Sequence, residues 1–137
     1  MTLADTGPAK GNPALAVAVG VAGWLVPGLG HLLLRRWGKA LAYFLAVAML
    51  VVVGLLARGN VFAYAGDALD RLGFFADLGT GIFYFGAHMI SSAGPDVSHA
   101  AGDYGTRLIA TGGVLNFLCV LEAVHIALGQ SGERQIA

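Results

Sequence analysis

Long apolar runs without charged residues constrain this chain more than any other feature of its sequence. Residues 14–34 form an uncharged run of 21 residues, and residues 40–57 form a second run of 18. A transmembrane helix needs about 20 predominantly apolar residues. Because only five residues separate the two runs, we predict two antiparallel membrane helices joined by a tight turn.

Two further runs follow, at residues 72–90 and 108–128, and both contain polar residues. Between the second and third runs, residues 58–71 have apolar positions at helical spacing, which favours a short helix at the membrane interface. Residues 91–106 are rich in Gly, Ser and Asp and are predicted to form a loop. The sequence therefore predicts an all-α, polytopic membrane protein with four transmembrane helices in a bundle over residues 14–128.

Polar segments flank the predicted bundle. Residues 1–13 are predicted to be a disordered tail, and residues 129–137 a polar tail. A secretion-signal pattern is absent from the first 13 residues, so we expect the first apolar run to remain in the mature protein. We find no internal sequence repeat, and the continuous runs lack the alternation that a transmembrane β-barrel requires.

The composition favours the lipid bilayer as the main partner of this chain. Hydrophobic residues make up 57% of it and charged residues only 12%, whereas soluble domains carry about 25% charged residues. The formal net charge is zero, and no basic stripe exists, which argues against nucleic acid as a partner. Cys119 is the only cysteine, so it has no partner for an internal disulfide.

A basic turn predicts the orientation in the membrane. The connection between the first two runs contains three positive charges and no acid, contributed by Arg35, Arg36 and Lys39. Short cytoplasmic loops of membrane proteins carry an excess of Lys and Arg. We therefore predict that this turn is cytoplasmic, and four spans would then place both chain termini on the outer side.

A Pro-Gly-Leu-Gly-His string lies within the first run and predicts a break in its helix. Pro27 has no backbone N–H, and its ring clashes with the carbonyl group of Gly23. Gly28 and Gly30 add flexibility and remove bulk. Three interpretations are open: a kink that allows close packing of the second helix, a broken helix that lines a binding site as in transporters, and a re-entrant helix that never spans.

This string and the turn after it resemble a known group of proteins. Residues 24–44, with the order Pro-Gly-x-Gly-His, basic turn and second apolar helix, resemble an uncharacterised family of small multi-spanning bacterial membrane proteins. The layout is similar to that of the two-transmembrane-helix domain family, from which Leu32-Leu33 departs because an aromatic pair is usual there. Residues 104–106, Asn116 and residues 125–129 carry the same resemblance to the uncharacterised family. The resemblance implies a multi-pass protein of the bacterial inner membrane and no particular activity.

Polar side chains inside membrane spans are costly and are candidates for function by default. The candidates here are His31, Asp77, His88, Asn116, Glu122 and His125. In four antiparallel spans, His31 would meet His88 near the cytoplasmic end. Asp77, Glu122 and His125 would form a second polar layer in the outer half. The alternative is that these groups form hydrogen bonds between helices and only fix the packing, which is the usual role of a residue such as Asn116.

The leading functional hypothesis is a non-enzymatic accessory or scaffold subunit, which packs against other membrane protein subunits or against copies of itself. No phosphate-binding loop, zinc spacing or nucleophile elbow is present, so we expect neither an enzyme nor a metal site. The first alternative is a small transporter or channel that uses the kinked helix and the Asp/Glu/His layer. The second is a subunit that binds haem or a chlorophyll-type pigment non-covalently through facing histidines.

Overall fold

The structure, a computed structural model, describes residues 11–62, 64, 66–90 and 100–130. Its regular elements are all helical in these residues. In chain order the helices are α1 (Pro13–Leu25), α2 (Leu29–Leu33), α3 (Trp37–Leu56), α4 (Ala68–Leu78), α5 (Ile82–Ile90) and α6 (Ala100–Ala127). The all-α prediction is confirmed, but the first and third apolar runs each form two short helices instead of one long helix.

The first run breaks where the Pro-Gly string predicted a break. α1 starts at Pro13 because the Asn12 side chain accepts hydrogen bonds from the N–H groups of Ala14 and Leu15, which caps the helix. It ends at Leu25, and Val26 is extended, as a residue that precedes proline prefers to be. Gly28 then has a φ of 84°, which turns the chain sharply.

α1 and α2 form a hairpin, not a kinked span. Gly30 of α2 lies against Val19 and Gly23 of α1, so close that a Cβ atom at Gly30 would be 2.8 Å from the Val19 carbonyl oxygen. Farther along, Leu34 packs against the cluster that contains Ala16. The chain therefore returns to the end of the bundle at which α1 began. α3 starts from this end, which we call the basic end because residues 35–39 lie there.

α3 and α6 form the antiparallel pair at the centre of the molecule. Lys39 contacts Glu122 at the basic end, and Gly54 lies against Gly105 at the opposite end. Trp37–Leu56 and Gly102–Ala127 are the two described helices that are long and apolar enough to cross a membrane. By the same measure α1 is too short, so the described residues contain two such helices where four were predicted.

The third run forms a second hairpin, which enters from the opposite end. α4 is capped by Asp67 and runs parallel to α6, so that the Ala76 carbonyl group lies on Gly113. It ends at Leu78, and Gly81, with a φ of 63°, turns the chain back. In α5, Ala87 packs against Val47 and Val51 of α3, so the chain returns towards the end from which α4 came.

The helices stand in four columns around the core. α3 and α6 form one column each, and the two hairpins, placed end to end, form the other two. α1 covers the half of α6 near the basic end and α4 covers the other half, while α2 and α5 pack against α3 in the same order. The same plan, a hairpin followed by a long helix, thus occurs twice in opposite directions. The sequence shows no repeat because the two copies share this plan but not their helix lengths or residues.

Two connections also differ from the predictions. A short interface helix was predicted over residues 58–71. Residues 57–62 are instead not helical, and the only helical part of that range among the described residues is the start of α4, from Ala68. α6 begins at Ala100, inside the segment predicted to be a loop, while residues 91–99 of that loop lie outside the described residues. The predicted tails, residues 1–13 and 129–137, lie mostly outside them as well.

Candidate functional site

The tips of the two hairpins meet at Asn116, in the middle of α6. Asn116 is fully buried. Its Nδ2 group donates hydrogen bonds to the carbonyl oxygens of Trp24, at 3.3 Å, and Gly79, at 2.8 Å. These carbonyl groups belong to the C-terminal ends of α1 and α4, where the helix itself leaves carbonyls without partners. One amide therefore joins two helix ends that come from opposite sides of the bundle.

Two further contacts fix this meeting point. The Trp24 indole Nε1 donates a hydrogen bond to the Leu78 carbonyl oxygen at 3.2 Å. Gly81 packs so closely on the carbonyl groups of Trp24 and Leu25 that a Cβ atom would clash with both, and its positive φ also favours glycine. We call Trp24, Leu78, Gly79, Gly81 and Asn116 the hairpin junction.

The hairpin junction is rich in negative potential. Both α1 and α4 direct their C-terminal ends into it, and a helix C-terminus carries a partial negative charge on its unpaired carbonyl groups. The Asn116 Oδ1 atom is also buried and has no hydrogen-bond partner among the described residues. Carbonyl and amide oxygens at broken helices are the ligands with which membrane proteins coordinate Na⁺ and protons.

Asp77, on α4, directly precedes the junction residue Leu78 and is 0% exposed. Its Oδ2 atom accepts a hydrogen bond from the Phe62 backbone N–H at 2.6 Å. Its Oδ1 atom is buried and has no hydrogen-bond partner in the part of the chain that the structure describes. A buried ionised carboxylate is costly unless it is paired, so this side chain needs either a proton or a cation.

Thr80 completes the polar surroundings of Asp77. Its side chain is fully buried, and its hydroxyl group donates a hydrogen bond to the Asp77 backbone carbonyl at 2.7 Å. This bond satisfies a carbonyl group at the end of α4, while the two hydroxyl lone pairs stay available as acceptors. Asp77, Thr80 and Asn116 are thus fully buried polar side chains at the end of α4 and at the junction.

A separate polar cluster lies at the basic end. Glu122 accepts hydrogen bonds from Lys39 and from the Tyr43 hydroxyl group, and its Oε2 atom is 3.5 Å from the His31 Nε2 atom. The His31 ring is 1% exposed and its centroid lies 4.8 Å from that of Tyr43. The cluster connects α2, α3 and α6. The positive charge of Lys39 compensates the negative charge of Glu122.

The two polar layers predicted from four antiparallel spans are wrong. His31 lies beside Glu122, with its Nε2 atom 3.5 Å from the Glu122 Oε2 atom, because the first hairpin returns to the basic end. His88 is exposed and stacks on Tyr84 at 5.9 Å, since α5 runs away from that end. His125 is also exposed. Consequently His31 and His88 do not form the facing pair that haem or a pigment would need.

The predicted break residues lie beside the junction. Pro27, Gly28 and Gly30 are all buried, and Gly28 lies against the Ala40 carbonyl group on α3. Trp24 and Thr80 were not predicted as site residues, although the Gly-Thr-Gly string at residues 79–81 is a visible signal of a helix break. In the described residues no three His, Cys, Asp or Glu side chains could hold a metal ion together.

Comparison with known proteins places the chain in a family without indicating an activity. Residues 18–134 match the DUF6677 family, a family of unknown function. The match covers most of the chain, which therefore belongs to this family, and the predicted membership of an uncharacterised family is confirmed. No curated protein and no solved structure matches the chain.

Proposed function

We propose that this member of the DUF6677 family is an integral membrane protein that binds a small monovalent cation, a proton or an alkali-metal ion, and moves it across the bilayer. One observation carries the proposal. Two hairpins from opposite ends meet at Asn116, and Asp77, which directly precedes the junction residue Leu78, has a buried carboxyl group whose Oδ1 atom lacks a partner among the described residues. This is the first alternative of the sequence analysis, with the binding layer reduced to the junction and Asp77.

The outer surface supports a membrane location. Large apolar side chains are exposed on every helix from α1 to α6 except where helices pack, and examples are Val17 at 68%, Leu56 at 79% and Met89 at 80% exposure. Soluble monomers rarely expose contiguous apolar patches of such extent. α3 and α6 would cross the bilayer, and the two hairpins would enter it from opposite sides without crossing.

Half-helices inside a membrane are tolerated only where protein groups satisfy the backbone or where the backbone lines a cavity. In this chain Asn116 and the Trp24 indole donate hydrogen bonds to three carbonyl groups at the ends of α1 and α4. Transporters place substrate and ion sites at the midplane, where such broken helices meet. The junction would lie at this depth, because it is halfway along α6.

The charges support an orientation with the basic end in the cytoplasm. Arg35, Arg36 and Lys39 lie at this end without exposed acids nearby in the sequence, whereas the opposite end combines its Arg residues with the acids Asp67, Asp70 and Asp103. Since the first hairpin returns, Asn12 lies beside Ala127, with its N–H 3.2 Å from the Ala127 carbonyl oxygen. Both ends of the described chain would therefore be cytoplasmic, not outside as four spans would require.

Flux into liposomes tests the proposed function. We expect Asp77→Asn to reduce the flux of protons or alkali-metal ions at least about tenfold, because the amide cannot alternate between a neutral and a charged form. Asp70→Asn on the same helix is the matched control. Asp70 lies in the first turn of α4, away from the junction, and its side chain is only partly buried. Equal flux through the native chain and both variants would contradict the proposal.

An accessory or scaffold subunit remains the second candidate, and one surface favours it. The outer face of the α4–α5 hairpin exposes Leu72, Phe75, Ile82, Phe85 and Met89, each by more than half. This face fits a neighbouring membrane helix as well as it fits lipid. Size analysis after purification in a mild detergent tests this candidate, because a homogeneous monomer would leave it without support.

A further inference from the structure

We infer that an apolar groove at the basic end binds an acyl chain of an anionic phospholipid, whose phosphate group lies against Arg35 and Arg36. The inference rests on the membrane location proposed above, but not on cation transport. It concerns a different part of the molecule from the hairpin junction. The occupant follows from the shape of the groove, its lining and the charges beside it.

The groove lies between the descending limb of the first hairpin and the first half of α3. Its volume is about 420 Å³, within the range of about 300–1,000 Å³ that is typical of small-molecule sites. The lining is almost entirely apolar and consists of Val26, Pro27, Gly28, Leu29, Leu32, Trp37, Gly38, Ala40, Leu41 and Phe44. No side chain in this lining carries a charge, so the groove suits a hydrocarbon chain.

The unequal hairpins explain why the groove exists. Near the basic end, α3 packs against α2, which has only 5 residues. Near the opposite end, it packs against α5, which has 9. Gly28 and Gly38 add no side chains, and a Cβ atom at Gly38 would have nothing within 4 Å. At the inner end, the lining residue Phe44 packs against Phe83 of α5, with 5.6 Å between the ring centroids.

Positive charge lies next to the end of the groove that Trp37 and Gly38 line. Arg35 and Arg36 are exposed and form no ion pair with the carboxylates of the described residues. They immediately precede Trp37 and Gly38, which belong to the lining. α3 also starts without a side-chain cap or an acid in its first turn, so its first N–H groups add to the positive potential. A headgroup with a net negative charge complements this charge better than a zwitterionic headgroup, in which a cationic group offsets the phosphate.

Trp37 marks the depth at which the lipid would bind. Its side chain is 71% exposed at the start of a helix that is long enough to span, and exposed Trp residues in membrane proteins lie at the level of the headgroups. An acyl chain in the groove would then run inwards from the headgroup level, parallel to the other chains of its leaflet. Basic residues next to a membrane surface attract anionic lipids in this geometry.

Quenching of Trp37 fluorescence by brominated lipids tests the inference on the full chain. The protein is reconstituted into vesicles of equal phosphatidylcholine and phosphatidylglycerol, with bromine on the chains of only one lipid at a time. The Trp37→Phe variant supplies the signal of Trp24, which is subtracted. We expect brominated phosphatidylglycerol to quench Trp37 more than brominated phosphatidylcholine does, with a preference of at least about fivefold in apparent affinity.

Two variants separate the contributions of charge and groove. Arg35→Gln with Arg36→Gln should abolish the preference, whereas Arg107→Gln, whose partner is Asp103 at the opposite end, should retain it. Gly38→Leu should fill the groove and reduce quenching by both lipids. Equal quenching of the native chain by both lipids would overturn the inference and leave the membrane location intact. Absence of quenching by either lipid would overturn the inference and the membrane location together, whereas a failure of cation transport would affect neither.

Discussion

At the scale of single residues, Asn116 joins the two halves of the molecule with one amide group. Its two donor hydrogens match two carbonyl groups that belong to different hairpins. An apolar side chain of similar size would leave both carbonyl groups buried without donors. A carboxylate would repel them, because both helix ends carry partial negative charge.

The variant Asn116→Leu measures the contribution of this amide. Each carbonyl group left without a donor in a buried position costs about 1–3 kcal/mol, so we expect the loss of two donors to lower the free energy of unfolding by roughly 2–6 kcal/mol. Thr111→Val is the control on the same helix, since Thr111 is exposed and bonds only within α6. Thermal unfolding in detergent compares the two, and equal melting temperatures would show that the amide does not stabilise the junction.

At the scale of elements, the two turns at residues 26–28 and 79–81 reverse the first and third apolar runs, which would otherwise continue as single helices. Each turn contains a glycine with a positive φ, Gly28 or Gly81. At Gly81 the carbonyl groups of the other hairpin also leave no space for a side chain. The conformation and the packing of this turn therefore depend on the same residue.

Alanine scanning of α5 and its turn tests this requirement. Gly81→Ala should destabilise the protein by more than about 1 kcal/mol, because alanine is strained at this φ and clashes with Trp24. Gly86→Ala should instead stabilise it by about 0.5–1 kcal/mol, since Gly86 is helical and a Cβ atom there meets nothing within 4 Å. Melting temperatures that shift in the same direction in both variants would contradict the role of the turn.

The helical runs could be predicted from the sequence, but their direction could not. α3 was predicted within three residues at its start, because its run is continuous and bounded by charges. The runs that form hairpins are about as long and as apolar as the runs that form α3 and α6, and apolar periodicity does not reveal where a chain reverses. Pro27 and Gly28 indicated a break, and re-entry was one of its three interpretations.

The candidate site could be predicted only as a set of residues. Asp77, Asn116, Glu122 and His31 were identified because polar side chains are rare in such runs, and all four make polar contacts in the structure. Their pairing was wrong, since it was derived from four antiparallel spans. The contribution of the Trp24 indole could not be predicted, because its partner is a carbonyl group that becomes available only where α4 ends.

At the scale of the whole molecule, two hairpins of opposite direction hold an antiparallel helix pair between them. α6 is the common support, because α1, α3 and α4 all pack against it. This arrangement brings two broken helices to one interior point and leaves an apolar groove where the shorter hairpin does not fill its column. The proposed cation site and the proposed lipid site are both consequences of this plan.

The plan also sets which segments lie at the same end of the bundle. Residues at the start of α1, in the basic turn and at the end of α6 lie together at the basic end. In four antiparallel spans, the start of the first helix and the basic turn would lie on opposite sides. The position of these segments relative to the bilayer therefore distinguishes the two arrangements without any knowledge of function.

Labelling of single cysteines with a membrane-impermeant maleimide tests this most directly. In a Cys119→Ala background, Ala14→Cys, Arg36→Cys and Gln130→Cys would report on the basic end, and Arg71→Cys on the opposite end. We predict that the first three are labelled from one side of sealed vesicles and Arg71→Cys only from the other. Labelling of Ala14→Cys and Arg36→Cys from opposite sides would contradict the opposed hairpins.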